Sequence, residues 1–101
     1  MKITGNMLLG QSALMGRHGE IFAINPATGE QMEPPFGSGS EKQVEDACAL
    51  ADAAFDSFRS TSAEQRASFL EQVADNILDL GDTLVQRAMA ETGLPQARIV
   101  G

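Results

Sequence analysis

The sequence predicts an α+β chain: short N-terminal β-strands and hairpins over residues 1–40, then three α-helices over residues 41–92. Two observations carry this. Residues 1–40 hold seven of the ten glycines and three of the four prolines, whereas residues 41–92 hold no proline and one glycine, Gly81. Apolar residues alternate loosely in the first part and recur every three or four positions in the second. The residue supply agrees. Hydrophobic residues make up 43% of the 101, with no Trp, no Tyr and only five Phe, so a core must come mainly from Ala, Leu, Val, Ile and Met.

The first expected strand is Met7–Met15, followed by a glycine-flanked turn, "GRHGE" (16–20). Glu20–Ile24 is the next. Ile21 and Ala23 fall on one face and Phe22 and Ile24 on the other, so this strand requires cover on both sides. "AINPATGEQ" (23–31) then reverses the chain. Pro26 keeps Asn25 extended and pre-sets its own φ, and Gly29 accepts a positive φ without steric cost. Residues 30–33 are expected to return as a short strand. "EPPFGSGS" (33–40) is expected to be irregular, because two prolines cannot serve a central ladder.

Ser40 with Gln43 three positions later is a capping box, and Glu41 adds favourable charge to the first turn. The first helix carries a stripe of Val44, Cys48, Ala51, Phe55 and Phe58. "RSTS" (59–62) leaves room only for a tight connection, so the next helix is expected to fold back alongside. Ser62 with Gln65 is a second capping box, followed by a stripe of Ala67, Leu70, Val73, Ala74, Ile77 and Leu78. Gly81 suits a left-handed helix end, Asp82 a third cap, and "TGLP" (92–95) a stop. Residues 93–101 read as the start of a further element that the chain does not complete.

Composition excludes several functions. A net charge of −7, without a cluster of Lys and Arg, opposes phosphate backbones and anionic lipid surfaces. No apolar run approaches the roughly 20 residues of a membrane span. The apolar stretch near the N-terminus is broken by Gly5-Asn6 and Gly10-Gln11-Ser12, so a secretory signal is not expected. One cysteine cannot form an intrachain disulfide, which fits a reducing, cytoplasmic setting.

Each candidate for chemistry has a plainer explanation. Cys48, the only thiol, lies within an apolar helical stripe and reads as a buried structural cysteine. His18, the only histidine, reads as a solvated turn residue without an orienting partner. "FGSGSEKQ" (36–43) runs a Gly-x-Gly into a helix start, but lacks the third glycine and the lysine of phosphate loops. Glu41, Glu45, Asp52 and Asp56 form the polar face of the first helix. "DNILD" (75–79) lacks the oxygen spacing and glycine turn of a calcium loop. We therefore expect no catalytic, cofactor-binding or metal-binding residue. From the residues alone, the chain is a binding module or part of a larger domain.

The order of motifs adds a resemblance. "INPATGE" (24–30), "EKQVEDACALADAAFDSFRS" (41–60), "RASFLEQVADNI" (66–77) and "AETGLP" (90–95) together resemble the N-terminal region of the aldehyde dehydrogenase superfamily, in register along essentially the whole chain. "ITGNMLLGQSA" (3–13), "CALADAAFDSFR" (48–59) and "RAMAETGLPQARIVG" (87–101) look like its 2,5-dioxovalerate (α-ketoglutarate semialdehyde) dehydrogenase subgroup. The resemblance implies part of a larger α/β, Rossmann-like cofactor-binding domain in a homo-oligomeric enzyme that uses NAD or NADP. In that family a cysteine thiolate attacks the aldehyde, hydride passes to the nicotinamide, and a glutamate-activated water releases the acid. Those residues lie outside the region that this chain resembles, and Cys48 does not match the nucleophile motif. The implied partner is the rest of the domain. The implied status is a truncated product or incomplete sequence without activity of its own. The alternative is a stand-alone acidic helical interaction module.

Overall fold

The structure is a computed structural model and describes residues 2–101. It divides into two compact units: a strand-bearing unit of residues 2–23 and 32–60, and a helical unit of residues 24–31 and 61–101.

In the strand-bearing unit, β1 (Met7–Leu9) pairs antiparallel with β2 (Ser12–Leu14), in the register Met7↔Leu14, Leu8↔Ala13 and Leu9↔Ser12. The expected single strand over 7–15 is thus a two-residue hairpin. Gly10, at φ 59°, makes the tight reversal that the twist of paired strands favours. A second pair joins β3 (Glu20–Ile24) to β4 (Gln31–Gly37). β4 is longer than expected and runs through Pro34 and Pro35. A two-stranded sheet has only edge strands, so residues without an N–H are tolerated there.

Helix α1 (Glu41–Arg59) starts as its sequence dictates. Ser40 Oγ accepts from the Gln43 N–H at 3.2 Å, and Gln43 Oε1 accepts from the Ser40 N–H at 2.9 Å. Two backbone segments approach closely just before it. A Cβ on Gly16 would lie 2.3 Å from the carbonyl oxygens of both Gly37 and Ser38, and one on Gly37 would lie 2.5 Å from Gly16 N and O. The contact is secured by hydrogen bonds from His18 N–H to Ser38 O (2.9 Å) and from Ser38 N–H to Gly19 O (3.0 Å).

In the helical unit, the turn at 25–30 is closed from inside. The Gly29 N–H donates to Asn25 O at 2.7 Å, the Ala27 N–H to Asn25 Oδ1 at 2.9 Å, and the Asn25 N–H to Glu30 O at 2.9 Å. Helix α2 (Ala63–Asp79) carries its own capping box from Ser62 and Gln65. It leads without a loop into α3 (Gly81–Thr92), Leu80 serving as the last cap of one and the first of the other. The expected Asp82 cap is not formed. Leu80 stays helical at φ −63°, and Asp82 is the second residue of the first turn, where its charge still favours the helix N-terminus. Gly93 ends α3 in the left-handed conformation at φ 72°, and α4 (Gln96–Val100) follows after Pro95.

Among the described residues no large apolar side chain is buried, and Gln43 is the one buried polar side chain, 8% exposed. From Cys48 to Ser60 every residue is exposed, and in α2 only Arg66 is partly covered. This corrects the reading of Cys48 as a buried cysteine: like the residues that follow it along α1, it is exposed.

Candidate functional site

Side chains converge around one hollow in the strand-bearing unit and two in the helical unit, one of them an apolar hollow lined by Ile77, Leu78, Leu84, Val85, Ile99 and Val100. In the strand-bearing unit it is the start of α1, a hollow lined by Leu9, Leu14, Arg17, Ser40, Lys42, Gln43 and Asp46. Gln43 organises it. Its Oε1 accepts from the N–H groups of Arg17 (3.0 Å) and Ser40 (2.9 Å), and its Nε2 donates to Met15 O at 3.1 Å. One side chain thereby ties the segment after β2 to the first turn of α1. The sequence suggests Gln43 only as a capping partner. Its long-range bonds depend on the Gly16–Gly37 approach, which the two glycines hint at but do not specify.

The helix N-terminus here is not free for an anion. Ser40 Oγ holds the Gln43 N–H, the Val44 N–H donates to Ser40 O at 3.0 Å, and Lys42 is paired with Asp46. His18 is exposed in its turn, as expected, and only its backbone N–H is engaged. Cys48 is exposed on α1. Among the described residues no three His, Cys, Asp or Glu side chains are grouped to hold a metal ion, and no helix is long and apolar enough to cross a membrane.

In the helical unit, Asn25 and Ala27 of the turn face Gln86, Met89, Ala90, Gly93 and Leu94 at the end of α3. Gly93 is constrained twice. Its φ is positive, and a Cβ there would stand 3.3 Å from Pro26 Cγ. Gly81 has a similar φ of 57° with open space around it. Gly93→Ala should therefore cost about 1–2 kcal/mol, from the left-handed penalty plus displacement of the proline ring, and more than Gly81→Ala, which meets the first term alone. Urea titration of helical content for the two variants checks the order. Equal losses would show that the turn does not bear on α3.

None of these hollows carries a nucleophile, an acid–base pair or a metal set. In the first, Gln43 holds backbone segments in place. Comparison with known proteins gives them a context. The family model described as "Aldehyde dehydrogenase family" matches residues 14–101. This chain belongs to the aldehyde dehydrogenase family. Among its aldehyde dehydrogenase relatives, Alpha-ketoglutaric semialdehyde dehydrogenase 2 of Azospirillum brasilense is 48% identical over 102 residues, covering 100% of this chain and 19% of the relative. Alpha-ketoglutaric semialdehyde dehydrogenase of Acinetobacter baylyi is 38% identical over 81 residues, 80% of this chain and 15% of the relative. Succinate-semialdehyde dehydrogenase (NADP(+)) of Mycobacterium leprae is 46% identical over 55 residues, 54% and 12% of the two chains. The chain thus spans about a fifth or less of the length of these curated relatives. No solved structure matches it.

Proposed function

We propose that residues 1–101 are the N-terminal segment of an NAD(P)-dependent aldehyde dehydrogenase that oxidises a semialdehyde like α-ketoglutaric semialdehyde to the carboxylic acid. The observation that carries this is the 48% identity to the Azospirillum brasilense enzyme along the whole chain. In this reading the strands and turns of 1–40 and the helices of 41–92 support a larger Rossmann-like domain, and 93–101 lead into its next element. The segment supplies placement, not chemistry: Cys48 and His18 take no part in the reaction. The rest of that domain is its partner, in a cytoplasmic homo-oligomer.

A chimera tests the reading. Residues 1–101 replace the matched segment of the Azospirillum brasilense enzyme, and NAD- and NADP-linked oxidation of α-ketoglutaric semialdehyde is followed by nicotinamide absorbance. The expected result is turnover within about tenfold of the parent, roughly 1.4 kcal/mol of barrier, with none from residues 1–101 alone. A soluble but inert chimera would overturn the assignment and favour a stand-alone interaction module.

A further inference from the structure

We draw no further inference here: the strongest candidate, the apolar hollow lined by Ile77, Leu78, Leu84, Val85, Ile99 and Val100 between the end of α2, the first turns of α3 and the end of α4, carries none because nothing in the structure shows what covers it.

Discussion

Gly16→Ala should cost about 3 kcal/mol or more in the stability of the strand-bearing unit. The new Cβ would fall 2.3 Å from two carbonyl oxygens and 2.4 Å from Gly37 C, all of them backbone. A clash with the end of a flexible side chain is relieved by a rotamer change. A clash with backbone requires the segment to move, and here it is held by the His18–Ser38 and Ser38–Gly19 hydrogen bonds. Separating the segments also carries Arg17 away from Gln43. Amide hydrogen exchange gives a direct reading: protection at His18 and Ser38 should fall on the order of a hundredfold, the equivalent of that free energy. Unchanged protection would mean that the two backbones part at little cost.

Gln43→Ala should follow, at about 2–4 kcal/mol. The variant leaves the N–H groups of Arg17 and Ser40 without their acceptor and Met15 O without its donor, in a place where Gln43 is the most buried polar side chain described. Orphaned, partly buried polar groups cost more than the net value of the bonds they lose. Gln43→Glu separates the contributions. It keeps both accepted bonds and sets a carboxylate oxygen against Met15 O, so it should lie between wild type and alanine. Urea unfolding monitored by circular dichroism at constant m checks this order. Equal stability of wild type and Gln43→Ala would reduce Gln43 to an ordinary cap residue.

The two expectations also show where the sequence was legible. The three main helices, the boxes at Ser40 and Ser62, the stop at Gly93 and the turn at Asn25–Gly29 depend on chemistry within a few residues, and all form as read. The misreadings have longer-range causes. The extent of β4 through Pro34 and Pro35 depends on its being an edge, which sequence spacing does not disclose. The loop-free junction at Leu80 puts Asp82 two positions past the cap. Cys48 has the pattern of a buried residue yet is exposed: periodicity marks an apolar face and does not report whether that face is covered.

The Gly16–Gly37 contact also bears on how such chains vary. Two side chains in contact can change together, one growing as the other shrinks. Two glycines cannot, because neither has an atom to give up. Positions 16 and 37 are coupled through a direct backbone approach, yet no paired substitution relieves either one. Among related sequences their coupling should show as invariance at both sites, and a search for correlated changes would pass over it.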